Sequence, residues 1–494
     1  MTLVVSLRDR EFGALARRAL VAAKSADMIE LRLDSLTDVS EAQLGPLFAE
    51  LGVPAIVAVN GPEAHGTFAG APSDRAQVYL RAARAGAAFV DIDWRHARDL
   101  PKLPKTTRRI VSRHGRAPAG QGATWLEELR SAGAEGDQFK LVLEARTTAD
   151  GLEVLSLLND APQDLIAFAS GTAGSFTRVL APILGSRLTY AACDAQEGFA
   201  GEPTAPGQLT ASELRAAWPV AGPKRSTQIF AVLGQPISHS VSPRVHTRAL
   251  RELELDAVFV AMEIDDLSAT LDACAAPNWR GFAVTAPHKR AAFTLATQHD
   301  ESCRTAGAAN TLIRVKSGWR AANSDIAGVR GALLGASGKE SLQGKRALVL
   351  GAGGAARAAL AALAELGACA TVCARDMGRA QLLAREFKAA TLPWELRTEA
   401  LSTSIEILVQ CTPVGQGARE SLIPEDAIPR GAIVIESVYR PAETALLAAA
   451  LRRGASAVPG SEWFAHQAAQ QFEWLTNREA PVEVLREELR RALA

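Results

Sequence analysis

The chain has 494 residues, 48% hydrophobic and 22% charged, a globular composition too long for one ordinary core, so roughly two to four domains are expected. With 54 basic and 54 acidic residues the formal net charge is zero and no basic run stands out, which argues against a nucleic-acid partner. Apolar stretches are short and interrupted, and the start "MTLVVSLRDREFG" lacks the basic region and long apolar core of a signal peptide, so neither a membrane span nor secretion is expected.

In chain order, the first half repeats a strand-then-helix alternation. Runs rich in β-formers occur at "LVVSL" (3–7), "MIELRL" (28–33), "AIVAV" (55–59), "AFVDIDW" (88–94), "RIVSRH" (109–114), "FKLVLEA" (139–145), "LIAFAS" (165–170) and "RLTYAA" (187–192). Ala- and Leu-rich amphipathic stretches separate most of them, a pattern that predicts a (β/α)8 barrel over residues 1–222. On the sixth run Lys140, Val142 and Glu144 share one face, which alternation places inside the barrel. Lysine is rarely buried without compensation. Among apolar neighbours its charged form is disfavoured, and the neutral amine is a nucleophile toward carbonyls. The preceding run ends in His114, a candidate acid and base. The plainer alternative is an inward lysine paired with Glu144 or Glu30.

The stretch "AGPKRSTQ" (221–228) reads as a linker. An α/β region follows over 228–329, opening with "TQIFAVLGQPISHSVSP". Here Lys289 and Asp325 form a plausible pair for handling an alcohol proton, although a lone lysine after Pro-His is more often a solvated surface residue. Ser240 and Ser242 could orient a small carboxylate or cap the helix that follows. His246 and His288 read as structural.

A third unit over 330–459 begins "GKRALVLGAGGAARAAL", a strand, a Gly-rich turn and a helix. It fits the dinucleotide fingerprint with Gly351, Gly353 and Ala356, and Gly351, Gly353, Gly354 and Ala355 are the expected cofactor contacts. The next strand ends without an acid at Ala374; Arg375 and Arg379 follow and suit a 2′-phosphate, hence NADP, while Asp376 keeps NAD open. The six cysteines, at 193, 274, 303, 369, 373 and 411, form no CxxC pair, which points to a reduced, cytoplasmic protein without structural zinc.

The motifs resemble two enzyme families. "IELRLD", "IVSRH", "FKLVLEA", "GSFTRVLAPILGSRLTYA" and "TAPGQL" resemble, in order, the strands and closing segments of type I 3-dehydroquinate dehydratase over residues 1 to 220. The resemblance implies Lys140 as the imine-forming lysine and His114 as general base and acid. It also implies Glu30 and Arg32 at ring hydroxyls, Arg178 at the carboxylate, Thr204 (for a usual serine) and Gln208 on the closing loop, and Ser6 as a further site position. "VAVNGPEAHGTFAG" departs from that family: Asn60 stands for an arginine, Ala64 for a glutamate (with Glu63 adjacent) and His65 for a glycine. Loss of that cation makes an impaired or purely ligand-binding barrel the alternative.

From 228 to 494 the chain resembles shikimate dehydrogenase. The motifs are "LGQPISHSVSPRVH" with Ser240 and Ser242, "GFAVTAPHK" with Thr285 and Lys289, "GAANTL" with Asn310, "ANSDIAG" with Asp325, "CTPVG", "ESVYRP" with Tyr439, and "GSEWFAHQAAQQF" with Gln467. The resemblance implies that helices from about 460 complete the substrate domain. Ala283 stands where that family usually has asparagine, which makes quinate the competing substrate. Together the resemblances imply one chain that converts 3-dehydroquinate to 3-dehydroshikimate and reduces it to shikimate with NADPH, without a metal.

Overall fold

Short apolar runs bounded by turn residues make strands of all eight runs of the first half. They are β1 (Thr2–Arg8), β2 (Met28–Arg32), β3 (Ala55–Ala58), β4 (Phe89–Asp93), β5 (Arg108–Gly115), β6 (Gln138–Glu144), β7 (Leu165–Ser170) and β8 (Leu188–Ala191). The computed structural model describes residues 2–64, 66–159, 164–195, 203–338, 341–417 and 420–493; His65 and the Glu63 side chain lie outside the described part. The strands are ordered β7-β6-β5-β4-β3-β2-β1-β8. Every bonded neighbour pair is parallel, so the sheet is a nearly closed eight-stranded barrel. Outward residues such as Leu141 and Val111 are fully buried under the helices. Helix starts follow local chemistry: Thr147 accepts from the Asp150 N–H at 3.3 Å, and Asp150 Oδ2 accepts from the Thr147 N–H at 3.0 Å.

The chain divides into two compact units, residues 1–229 with 256–279 and residues 230–255 with 280–494. Strands β9 (Gln228–Gly234) and β10 (Ala257–Glu263) fall near that division; the rest of the second unit carries β11 (Trp279–Val284), β12 (Gln298–His299), β13 (Thr311–Val315) and β14 (Gly318–Ala322). There β9, β11, β13, β14 and β12 follow one another across a sheet. The hairpin β13–β14 is antiparallel, as is β11 with β13.

The remaining strands are β15 (Arg346–Leu350), β16 (Cys369–Cys373), β17 (Ala390–Leu392), β18 (Ile407–Gln410), β19 (Ile433–Glu436) and β20 (Ser456–Val458). Their order, β17-β16-β15-β18-β19-β20, and their parallel pairing are those of a doubly wound dinucleotide-binding sheet. Ala358, Ala359, Ala361 and Ala362 let helix Gly354–Glu365 pack closely on that sheet. Two glycines bring helix Gly460–Thr476 against helix Asp325–Ser337: a Cβ at Gly328 would lie 2.6 Å from Trp463, and one at Gly331 would lie 2.5 Å from His466. Among the described residues no helix is long and apolar enough to cross a membrane.

Candidate active sites

One barrel cavity of about 180 Å3 gathers Ser6, Glu30, Arg32, His114 and Lys140 from the strands, Arg178 from helix Phe176–Leu184, and Thr204 and Gln208 from the segment after β8. Ser112 is the register partner of Lys140, so His114 stands two residues further along the adjacent strand. The Lys140 ammonium donates to Asp91 Oδ2 at 2.7 Å and to Glu30 Oε1 at 3.4 Å, and it lies 4.1 Å from the centre of the Tyr190 ring. Glu30 also accepts from the Ser6 hydroxyl. The Thr204 hydroxyl lies 2.9 Å from Ser6 Oγ and 3.2 Å from Gln208 Oε1, tying the segment after β8 to β1.

This geometry corrects the expectation of a lysine among apolar neighbours with a lowered pKa. Burial does work against the ammonium, but Asp91, Tyr190 and Glu30 outweigh it, and the Lys140 pKa stands above the ordinary lysine value. Of the expected carboxylate partners Glu30 is present, whereas Glu144 lies 3.8 Å from Arg146 instead. Asp91, inward on β4, is the site residue that sequence reasoning missed.

The cations differ in availability. Arg32 is held by both oxygens of Asp34, at 3.1 and 2.6 Å. Arg178 is 1% exposed; it donates to the Tyr190 carbonyl at 3.0 Å and stacks over Phe168, while its Nε has no hydrogen-bond partner among the described residues. Burial pulls its guanidinium down to about 10, with Glu30 opposing, so it stays charged at neutral pH. Asn60 and Ala64 line the same cavity. The Asn60 backbone N–H donates to Asp34 at 2.7 Å, and a Cβ at Gly66 would fall 1.9 Å from the Asn60 carbonyl oxygen, so this loop folds tightly on itself.

In the second unit a cavity of about 330 Å3 is lined by Ser240, Ser242, Thr285, Lys289, Asn310, Asp325, Tyr439 and Gln467, and by Ala283. Lys289 pairs with Asp325 Oδ2. Asn310 Nδ2 donates to Asp325 Oδ1 at 2.9 Å and to Ser324 Oγ at 3.0 Å, and Gln467 Nε2 reaches the same hydroxyl at 3.1 Å. One turn along the helix, Gln471 donates to the Asn310 carbonyl at 3.0 Å and to Thr311 Oγ1 at 2.9 Å. Ser324 and Gln471, both unnoticed in the sequence, thus fix the orientation of Asn310. Val241 holds the cap position of helix Ser242–Glu252 and makes no side-chain bond, while Ser240 Oγ accepts from the Ser242 N–H at 3.4 Å and so meets one free N–H of the first turn. His246 is buried, stacked on Phe472, and its pKa is lowered to about 4 by burial, so it is neutral at physiological pH.

At the Gly-rich turn the backbone is close-set at Gly351 and open at Gly353. Gly351 takes φ +115, and a Cβ there would lie 3.2 Å from the Cys411 carbonyl oxygen. Around the Gly353 Cβ position there is open space, and a Cβ at Gly354 would lie 3.8 Å from Lys289, so the amino end of helix Gly354–Glu365 borders the lysine. Ala355 lines the cavity. Arg375 and Arg379 do not reach it; both are exposed beyond the end of β16. Arg379 lies 3.3 Å from Asp376, whose carboxylate also accepts from the Arg379 N–H at the helix start.

The type I 3-dehydroquinase model matches residues 4–224, the shikimate dehydrogenase substrate binding domain model residues 232–312, and the shikimate 5′-dehydrogenase C-terminal domain model residues 460–490. The NADP(+) shikimate dehydrogenase of Syntrophobacter fumaroxidans is 37% identical over 258 residues, covering 52% of this chain and 89% of that protein. The chloroplastic bifunctional 3-dehydroquinate dehydratase/shikimate dehydrogenase of Arabidopsis thaliana is 29% identical over 483 residues, covering 93% of this chain and 79% of its own. Among solved structures, shikimate 5-dehydrogenase from Thermus thermophilus in complex with NADP(H) and shikimate is 34% identical with a TM-score of 0.50, covering 54% of this chain and 100% of that one.

Proposed function

The chain belongs to the shikimate dehydrogenase family and carries a type I 3-dehydroquinase barrel ahead of it, and we propose that the residues gathered in its two cavities carry out the two reactions in succession. It is a bifunctional enzyme: a 3-dehydroquinate dehydratase and an NADP-dependent shikimate dehydrogenase. Residues 1–222 form the dehydratase domain in this reading. Residues 228–329 with 460–494 form the substrate domain of the dehydrogenase, and 330–459 its NADP domain. Six free cysteines support a cytoplasmic location.

In the barrel, Arg178 anchors the substrate carboxylate, because of the two guanidiniums lining the cavity it is the one that no carboxylate among the described residues holds in a salt bridge. Asp91, 2.7 Å away, can take the proton that Lys140 must lose. The free amine adds to the ketone and water leaves, forming an iminium that acidifies the neighbouring carbon. His114 takes that proton and then returns it to the departing hydroxyl. Ser6, Glu30, Arg32, Thr204 and Gln208 hold the ring hydroxyls and close the site. Hydrolysis of the imine releases 3-dehydroshikimate and restores Lys140.

In the second cavity Ser240 and Ser242 hold the carboxylate, and Thr285, Asn310, Tyr439 and Gln467 the ring. Gly351, Gly353, Gly354 and Ala355 receive the NADP pyrophosphate, and Arg375 and Arg379 its 2′-phosphate. When bound, the cofactor supplies the hydride. Lys289, oriented by its ion pair with Asp325, protonates the developing alkoxide.

The observation that carries this reading is the Lys140–Asp91–Glu30 cluster standing beside His114 in the barrel cavity. The test follows NADPH consumption by the full chain from either substrate. Lys140→Ala should stop consumption from 3-dehydroquinate and leave it intact from 3-dehydroshikimate. Lys289→Ala should stop both while 3-dehydroshikimate accumulates from 3-dehydroquinate. A Lys140→Ala enzyme that still feeds NADPH oxidation from 3-dehydroquinate would remove the lysine from the mechanism.

A further inference from the structure

Strand β19 ends in a carboxylate, Glu436, that is only 1% exposed. Its two oxygens hold the two ends of one loop. Oε1 accepts from the Val438 N–H at 3.1 Å, and Oε2 accepts from the Thr444 hydroxyl at 3.2 Å. Thr444 in turn starts helix Ala445–Arg452, accepting from the Leu447 N–H at 3.3 Å. Ser437 and Tyr439 flank the Val438 tie, and both line the dehydrogenase cavity. The loop is also pressed from the other side. Tyr439 packs on Phe464 with ring centres 5.5 Å apart, and a Cβ at Gly460 would lie 2.5 Å from the Val438 carbonyl oxygen.

We infer that Glu436 is a positioning residue for the dehydrogenase: by bridging Val438 to Thr444 it fixes the 437–444 loop so that Ser437 and Tyr439 face the substrate. This rests on the reading of that cavity as the shikimate site. Burial pushes the Glu436 carboxyl up to about 7, while the bonds from Val438, Thr444 and Ser437 oppose the shift. A group so disfavoured by its surroundings destabilises the strand end it occupies. An apolar side chain would remove that cost but would leave the Val438 N–H and the Thr444 hydroxyl without their acceptor. Glutamine can keep both ties, accepting from Val438 through its carbonyl oxygen and donating to the Thr444 hydroxyl through its amide.

The experiment compares Glu436→Ala with Glu436→Gln in the full chain, measuring shikimate oxidation and, as an internal control, 3-dehydroquinate dehydration by the barrel. Glu436→Ala should raise KM for shikimate about tenfold, the scale of one hydrogen bond, with KM for NADP and the barrel reaction unchanged. Glu436→Gln should restore the shikimate KM. Unchanged shikimate KM in Glu436→Ala, equal losses in both variants, or a parallel rise in KM for NADP would overturn the inference. If Glu436→Ala does not fold, Thr444→Val and Thr444→Ser decide it. Valine cuts the far tie and should raise the shikimate KM, serine keeps the tie and should not, and equal behaviour overturns the inference. Failure of the underlying site reading has a different signature, namely Lys289→Ala retaining shikimate turnover.

Discussion

Lys140 and Asp91 stand two strands apart in the barrel, yet their charged groups meet at 2.7 Å inside it. Both are buried, at 4% and 1% exposed. Burial favours the neutral amine, but with Asp91, Tyr190 and Glu30 around it the ammonium wins. The resting lysine is therefore protonated, and the nucleophile appears only when a proton moves.

That sets the sign of a pH effect. A raised lysine pKa means that the reactive fraction grows as pH rises. Trapping of the imine with borohydride, read as a mass increase on the Lys140 peptide, should strengthen with pH. Asp91→Asn removes the largest contribution favouring the ammonium and should move the rise to lower pH. A profile that stays in place or moves upward would show that Asp91 does not govern this amine. His114→Ala should keep the label and stop dehydration, since imine formation needs the amine and elimination needs the base.

The strands of the barrel were legible because period-two alternation and turn residues leave little choice over short runs. Asp91 was not, although it sits in the stretch "FVDID" and shares an inward face with Phe89 and Asp93. Its meaning depends on Lys140, 49 residues later, and only closure of the sheet brings the two together. The dehydrogenase motifs were legible as motifs, but not the hydroxyl of Ser324 that receives both Asn310 and Gln467. That contact needs the close helix packing permitted by Gly328, a tertiary fact with no local signature. The serine pair shows what local propensity can reach: Ser240 Oγ accepts from the Ser242 N–H at the helix start, although Val241 holds the cap position itself.

Lys289 and Asp325 form one ion pair that Asn310 also joins. Groups acting in a single proton transfer lose their contributions together. Lys289→Ala and Asp325→Asn should each remove most turnover while leaving NADP binding intact, and the double variant should lose little more than the worse single one. Steady-state rates across this cycle check it; additive losses would place the two residues in separate steps.

Cofactor choice should rest on Arg375 more than on Arg379. Arg379 is 77% exposed and already has Asp376 at 3.3 Å, so part of its charge is answered. Arg375 stands at the strand end without such a partner among the described residues. Arg375→Ala should raise KM for NADPH by about tenfold or more, the loss of a charge-assisted phosphate contact, and change KM for NADH little. Equal shifts for the two cofactors would move the 2′-phosphate contact elsewhere.

Selectivity for the substrate ring should turn on Ala283. It lies on β11, two residues before Thr285, and both line the dehydrogenase cavity. Its backbone is fixed by register with Thr311, so a longer side chain there has one direction in which to grow, toward the cavity. Alanine offers no donor or acceptor at that point, so a ring hydroxyl facing it gains nothing over water. Ala283→Asn supplies both and should lower KM for shikimate by about tenfold, the scale of one hydrogen bond to a neutral partner. Quinate, whose extra ring hydroxyl must fit the same space, should gain less, so the ratio of kcat/KM for shikimate over quinate should rise. The two substrates assayed side by side give that ratio directly. If Ala283→Asn lowers it, the space above Ala283 serves the bulkier ring, and the wild-type pocket is built for quinate rather than merely tolerant of it.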